Sequence, residues 1–383
     1  MSLLEKYYTD EHQIFRESAR RFFENELIPY IDQWEKDGIV PRSVWRRFGE
    51  LGFLCLNLPE EYGGSNADFL YSFILMEEYG RTHFHGFPFI LHTDVVVPYI
   101  YYIGSDEQKK KWLPKCVTGE LLTAVAMTEP DAGSDLAAIR TTAVRDGDHY
   151  IINGQKTFIS NGINSHLVVL AVKTDTQADP PHAGISLIIV EEGTPGFEKG
   201  KNLKKLGLHS EGTSELSFVD CRVPVGNLLG EEGKGFFYMM DKLQPERLAV
   251  TITAQMDAEE VLRLTLDYCK ERKAFGRPIS RFQYNSFELA KMATDVELGR
   301  AFIESLVLEH IEGKDIVKKV SMAKYWIGDM ANRIAAKGVQ LHGGYGFMKE
   351  YPVERLYRDA RVHTLFAGTS EIMLLIISRY LGL

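Results

Sequence analysis

Cysteine is scarce in this chain. The four present, Cys55, Cys116, Cys221 and Cys269, stand 61, 105 and 48 residues apart. No pair has the spacing of a metal knuckle or a redox motif. Isolated cysteines of this kind read as buried free thiols in a reducing compartment. Long apolar runs are missing as well. The longest candidate, Phe84 to Ile103, is broken by His85, Pro88, His92, Asp94 and Pro98, so a membrane span of about 18 or more apolar residues is excluded. The first residues, Met1 to Glu11, carry Glu5, Asp10 and Glu11. They show neither the apolar core of a signal peptide nor the acid-poor composition of a transit peptide. Positive charge is in deficit: 44 basic against 53 acidic residues leave a net charge of −9. A protein built to grip a nucleic-acid backbone is usually basic, so no nucleic-acid partner is expected. There is no Walker A motif, no strand–GxGxxG–helix fingerprint, no HExxH and no GxSxG elbow. Those absences remove the usual signals for nucleoside triphosphates, Rossmann cofactors, zinc and serine esterases, and no metal is expected.

What is present is a chain that changes its hydrophobic period twice. A length of 383 residues predicts two or three domains. Residues 1–120 read as an N-terminal helical domain. Ile14, Phe15, Ala19, Phe22, Phe23, Leu27 and Ile28 recur at helical spacing between Thr9 and Trp34, and a further helix is expected from about Ala67 to Tyr79. Lys109-Lys110-Lys111 reads as a solvated helix face, with Trp112 and Leu113 turned inward. Residues 121–232 read as β. Ile139–Arg145 and His149–Ile152 flank an Asp146-Gly147 turn, and Asn153-Gly154 is a second turn signal before Lys156–Ser160. Leu167–Val172 and Ile185–Val190 are short β-branched runs, separated by the polar loop Thr174–His182. Leu216 and Phe218 alternate with polar neighbours. Closely spaced strands of this kind predict a small antiparallel barrel or sandwich. Residues 233–383 turn helical again. Apolar stripes run through Leu248, Ile252, Met256, Leu262, Leu266 and Cys269, through Leu289 to Leu306, and through Ile316 to Ile334. They predict a C-terminal four-helix bundle. The fold class expected is a multi-domain α+β protein in the order α, β, α.

Three segments are unlike ordinary core or surface. Ala126 to Asp135 (AMTEPDAGSD) follows a short apolar strand and offers hydroxyls and backbone N–H groups to a ligand that approaches the main chain. It also reads as a well-capped turn. Arg272 to Pro278 (RKAFGRP) sets three cations around a Phe and a Gly, which suits a diphosphate. It also reads as a basic helix end followed by stop signals. Gln340 to Phe347 (QLHGGYGF) permits close backbone approach, or ends a helix.

In this order, and in an α–β–α chain, these segments resemble the acyl-CoA dehydrogenase family over essentially the whole length. Ala183-Gly184-Ile185-Ser186-Leu187, Met322-Ala323-Lys324-Tyr325-Trp326 and Asp359-Ala360-Arg361-Val362 look like its long-chain branch. The resemblance implies FAD held between the β domain and the C-terminal bundle. Val125, Met127 and Thr128 would bond the flavin edge. Ser134 would reach flavin phosphate or the pantetheine of the substrate. Phe158 would lie on the ring and Ser160 would approach N5, with Ile159 turned into the β domain. Arg272, Phe275, Phe282 and Gln283 would serve the FAD of a neighbouring subunit in a homotetramer, a dimer of dimers, with Gln340, Gly343 and Gly344 at its adenosine side. Gly368, Thr369 and Glu371 would close over the cofactor. Electron-transfer flavoprotein would be the acceptor. With no transit peptide, a bacterial cytoplasmic enzyme is expected.

The reaction implied is removal of an α-proton from an acyl thioester, with hydride leaving Cβ. It needs a carboxylate in a dry site. Most of the family carries that carboxylate just before the Gly-Thr of the last segment, where this chain has Ala367. An enzyme that has lost its base is one explanation. A base supplied from elsewhere is the other, and Gln244-Pro245-Glu246-Arg247 stands where the long-chain and isovaleryl branches place it. Glu246 is therefore the expected base. The bland alternative makes it a first-turn acid behind Pro245 at a helix start. Burial under the acyl chain would raise the Glu246 pKa; Arg247 would oppose that shift or orient CoA, Gln244 stands where some relatives have an acidic CoA contact, and Ala367 would lend the thioester a backbone N–H. Phe87 and Leu91 replace polar residues that close the pocket of medium-chain relatives, which fits medium, long or branched chains. A flavin-binding paralogue without activity and an oxygen-using oxidase are the rival functions.

Overall fold

The computed structural model describes residues 3–383. Six helices come first: α1 (Asp10–Phe22), α2 (Ile31–Asp37), α3 (Arg42–Glu50), α4 (Phe69–Gly80), α5 (Val97–Ile103) and α6 (Asp106–Val117). The stretch expected as one helix from Thr9 to Trp34 is segmented. It passes through a π-helical turn at Phe23–Leu27 and a 3-10 turn at Ile28–Tyr30 before α2 begins. Pro29 lies in that 3-10 turn and has no N–H to continue an α-helical ladder. Ile14 and Ile28 face solvent. A second π-helical turn, Leu91–Val96, leads into α5. Trp112 and Leu113 are buried behind the lysine face of α6, as the charge run implied.

Eight strands follow: β1 (Thr123–Ala126), β2 (Thr142–Asp146), β3 (His149–Ile159), β4 (Leu167–Lys173), β5 (Ile185–Glu191), β6 (Phe197–Asn202), β7 (Ser214–Pro224) and β8 (Leu228–Leu229). They make one open sheet in the order β6-β7-β3-β2-β4-β5-β8, with β1 added beside β4. The expected antiparallel barrel or sandwich is thereby corrected to a mixed sheet, because both β1 and β2 run parallel to β4. Hairpin signals report only local antiparallel pairs. A parallel pair joins strands far apart in sequence and leaves no turn to read. The turn expected at Asn153-Gly154 is a second correction. β3 runs straight through it, with a register shift against β7 at Ile152/Gly154. Gly154 at φ +153° packs against Thr141, where a Cβ would lie 2.7 Å from the Thr141 Cα. Gly marks a bulge and a close backbone approach there.

The last third is α7 (Gly235–Glu271), a short hairpin β9 (Lys273–Ala274) and β10 (Arg277–Pro278), α8 (Gln283–Ile311), α9 (Val317–His342), α10 (Pro352–Ala360) and α11 (Ser370–Tyr380). Leu289, Met292, Val296, Ile303 and Leu306 on α8 and Val320, Ala323, Ile327, Met330 and Ile334 on α9 are buried, as the three- and four-residue spacing requires.

The cores cross these regions. Leu167, Val169 and Ala171 on one face of β4 share a core with Trp45, Phe48 and Trp112 of the first helices. Val168, Leu170 and Val172 on the other face pack against Tyr150, Leu216 and Phe218. Period-2 alternation thus places one strand in two cores. Leu70, Phe73 and Met76 of α4 pack with Leu248, Ile252 and Met256 of α7. Gly80 allows that approach, since a Cβ there would lie 2.6 Å from the Cβ of Met256. All four cysteines are free and buried. No helix among the described residues is long and apolar enough to cross a membrane.

Candidate active site

A cavity of about 690 Å³ lies where the first helices, the sheet and the last helices meet. Helix α7 brings the carboxylate of Glu246 to it. Glu246 sits twelve residues into a continuous helix, so it is no first-turn acid. Pro245 is inside the helix too. Oε2 of Glu246 is buried and has no hydrogen-bond partner among the described residues. Burial pushes the carboxyl up to about 7, against the pull of Arg247 and Lys324. A buried carboxylate poised near neutrality is the arrangement proton abstraction requires.

Two cations pin the chain opposite. Arg247 Nε donates to the carbonyl of Ala367 at 3.2 Å, and Lys324 Nζ donates to the carbonyl of Gly368. Ala367 and Gly368 sit at φ +54° and +97°, a conformation an alanine adopts only under constraint. Burial and the nearby Arg247 push Lys324 down to about 8.

The sheet contributes the other wall. Val125, Met127, Thr128, Ser134, Phe158 and Ser160 all line the cavity, and so do Arg247, Ala367 and Gly368. A buried ion pair braces this wall from behind. Lys156 Nζ donates to the Met127 carbonyl at 2.9 Å and to Glu129 Oε1 at 2.8 Å. Glu129 also accepts from the backbone N–H groups of Arg140 and Thr141. Phe158 stands at φ +58° beside a register shift between Lys156 and Ile159. A bulge re-aims a side chain, and here the Phe158 ring is 70% exposed while Ile159 is 3% exposed. An aromatic ring, three hydroxyls (Thr128, Ser134, Ser160) and the Glu246 carboxylate fit a planar polar-edged cofactor and a thioester in one chamber.

Family models match nearly the whole chain: the N-terminal domain of acyl-CoA dehydrogenase over residues 9–120, its middle domain over 124–221 and its C-terminal domain over 233–382. The chain belongs to the acyl-CoA dehydrogenase family. It is 43% identical over 376 residues to the mitochondrial long-chain specific acyl-CoA dehydrogenase of Rattus norvegicus, covering 98% of this chain and 87% of that one. It is 40% identical to an acyl-CoA dehydrogenase of Bacillus subtilis, over 98% and 99%. The crystal structure of acyl-CoA dehydrogenase from Geobacillus kaustophilus superposes with a TM-score of 0.97 at 56% identity, covering all of both chains. Acyl-CoA dehydrogenases are FAD flavoproteins, and this chain is an FAD-dependent oxidoreductase that dehydrogenates acyl-CoA.

The remaining residues that family likeness pointed to lie elsewhere. Gln244 does not line the cavity. Thr369 caps α11, its Oγ1 accepting from the Ile372 N–H at 3.3 Å. Glu371 is exposed in the first turn of that helix. Arg272 caps the far end of α7, about 37 Å along the axis from Arg247. Around it, Phe275 and Gly276 form the positive-φ turn between β9 and β10, and Phe275 is 95% exposed. The rings of Phe275 and Phe282 lie 6.1 Å apart. Gln283 opens α8, and Gln340, Gly343 and Gly344 stand at the exposed end of α9. The Arg272 guanidinium lies over Tyr345 at 5.5 Å. These residues form one surface group, separate from the cavity of their own chain.

Sequence reading missed a second polar group in the cavity. Asp257 pairs with His363 Nε2 at 2.6 Å through Oδ2 and with His85 Nε2 through Oδ1, and Asp359 lies beside them. Asp257 was legible in one respect. It follows Glu246 by eleven residues, which is three turns of helix and the same face.

Proposed function

We propose that Glu246 is the base of this acyl-CoA dehydrogenase. The observation that carries the assignment is its unpaired, desolvated carboxylate facing the cavity, together with an alanine at position 367. The Cα–H bond of the thioester breaks and its proton passes to the Glu246 carboxylate. The electron pair left on Cα closes the trans-2 double bond as Cβ loses its hydride. FAD, when bound, supplies the hydride acceptor at N5. Val125, Met127, Thr128, Ser134, Phe158 and Ser160 would hold its flavin end, with Gly368, Thr369 and Glu371 closing behind it. Ala367 contributes its backbone N–H to the thioester oxygen, a role that needs no side chain. Arg247 fixes that segment through the Ala367 carbonyl. The apolar lining from Phe87, Leu91, Val95, Leu243 and Val250 supports medium, long or branched acyl chains.

The surface group at Arg272, Phe275, Phe282, Gln283, Gln340, Gly343 and Gly344 serves a neighbouring subunit in a homotetramer on this reading. Its distance from its own cavity supports that, since one chain would not bring both groups to one cofactor. The division into residues 1–120, 121–232 and 233–383, electron-transfer flavoprotein as acceptor and a bacterial cytoplasmic location complete the proposal. Anaerobic loss of the visible flavin absorbance with a panel of acyl-CoAs tests it. Wild type is expected to bleach. Glu246→Gln is expected to bleach about a thousandfold more slowly or worse while still binding ligand, the range for removing a proton-transfer group. Normal bleaching by Glu246→Gln would end the assignment.

A further inference from the structure

Along α7, Glu246, Val250, Thr253 and Asp257 face the same cavity at spacings of four, three and four residues, a stripe about 16 Å long. The two ends of the stripe differ in kind. At one end stands the lone carboxylate of Glu246. At the other, the Asp257 carboxylate lies between the imidazoles of His85 and His363, next to Asp359. Phe87, Leu91 and Leu243 are among the apolar residues that line the same cavity.

This second cluster is buried and incompletely satisfied. The side chains of His85, Asp257 and His363 are 6%, 2% and 4% exposed. His85 Nδ1, His363 Nδ1 and Asp359 Oδ2 have no hydrogen-bond partner among the described residues. Burial opposes a charge on Asp257, but the two imidazoles hold it down at about 2. Asp359, with one oxygen on the Leu208 N–H at 2.8 Å, is pushed by burial up to about 6. A buried ionic group of this sort is weak as a stabilising device, because apolar residues of similar volume often do as well. In the cavity wall, it also penalises a plain hydrocarbon tail, which would strip its polar atoms of water and offer nothing in return.

We propose that this cluster is a specificity element for an acyl-CoA whose chain carries a neutral oxygen function, a hydroxyl, at the end remote from the thioester. The inference rests on reading the cavity as the dehydrogenation site. A hydroxyl donates to an imidazole lone pair or to Asp359 Oδ2 and accepts from a protonated imidazole, so it satisfies either protonation state. A terminal carboxylate would face the negative charge of Asp257 and the ionised fraction of Asp359.

The test compares matched sets of ω-hydroxyacyl-CoA, unsubstituted acyl-CoA and dicarboxylyl-CoA, from octanoyl to palmitoyl length, on the wild-type holoenzyme. Dissociation constants and anaerobic flavin reduction are both read. At the chain length that reaches the cluster, the hydroxyl member is expected to bind about tenfold tighter and to gain as much in kcat/KM, the worth of one good hydrogen bond. The triple variant His85→Leu, Asp257→Leu, His363→Leu is expected to lose or reverse that ratio. Should it fail to fold, His363→Gln gives the second reading, with a reduced ratio expected. Absence of any preference for the hydroxyl series in wild type overturns the proposal, and so does preference for the matching dicarboxylyl-CoA. Flavin reduction by none of the three series would instead remove the dehydrogenase reading beneath it.

Discussion

Arg247 donates from Nε to the carbonyl of Ala367 at 3.2 Å. The bond ties the residue after the proposed base to the position where most of the family carries its carboxylate. The helix and the last loop are thus held in one register around the cavity. On the proposed reading the loop serves the thioester through the Ala367 backbone N–H, a role for which a methyl side chain is enough.

The buried carboxyl of Glu246 gives a pH signature. Its folded-state value, about 7, is above the ordinary 4.5. The folded protein therefore holds a proton that the unfolded chain has released, and stability falls as pH rises from about 4.5 through about 7. Glu246→Gln lacks that dependence. The variant is expected to melt close to wild type at acidic pH and to be more stable above neutrality, by on the order of 3 kcal/mol. Flavin reduction in wild type is expected to rise with pH through the same range, because only the carboxylate takes the proton. Melting curves and single-turnover rates across pH check both limbs.

Lys324 acts on Glu246 by charge and on Gly368 by hydrogen bond. Lys324→Met removes a cation that lowers the Glu246 value, so the rate limb is expected to move to higher pH. It also leaves the Gly368 carbonyl without this partner, at a cost of about 1–3 kcal/mol. A rate profile unmoved on the pH axis would show that the two groups are not coupled.

Ala367 holds a left-handed conformation at φ +54°. Ala367→Gly is expected to relieve it and to raise stability by about 0.5–1 kcal/mol. A loss of stability instead would mean that the methyl group packs usefully. Denaturant midpoints distinguish the two.

Lys156 and Glu129 form a buried pair behind the Met127 wall of the cavity. Lys156→Met is expected to cost about 3–5 kcal/mol, because Glu129 is left charged and unpaired. FAD retention on gel filtration should fall with it, since Met127 loses its brace. Lys156→Met with Glu129→Leu should recover much of the stability and none of the bracing.

Much of this molecule was legible before any coordinates. The long helices declared themselves because α8 and α9 each bury one stripe, at Leu289 to Leu306 and Val320 to Ile334. Glu246 is the expected base because of what is missing at Ala367, and both residues line the cavity. The sheet was read less well. Asp146-Gly147 is a true hairpin turn, but Asn153-Gly154 uses the same residue types for a bulge, and the parallel partners of β4 have no local mark. The polar cluster escaped for a related reason. His85, Asp257 and His363 come from three distant stretches, and each alone reads as an ordinary polar residue.

The sharing of hydrophobic cores has a consequence for how the chain comes apart. Leu70 and Phe73 belong to the same packed group as Leu248 and Ile252, and Trp45 to the same group as Val169. Cutting the chain between its helical and β regions would expose both surfaces at once. The three regions should therefore behave as a single cooperative unit in calorimetry, with one heat-absorption peak and no autonomous fragment surviving limited proteolysis.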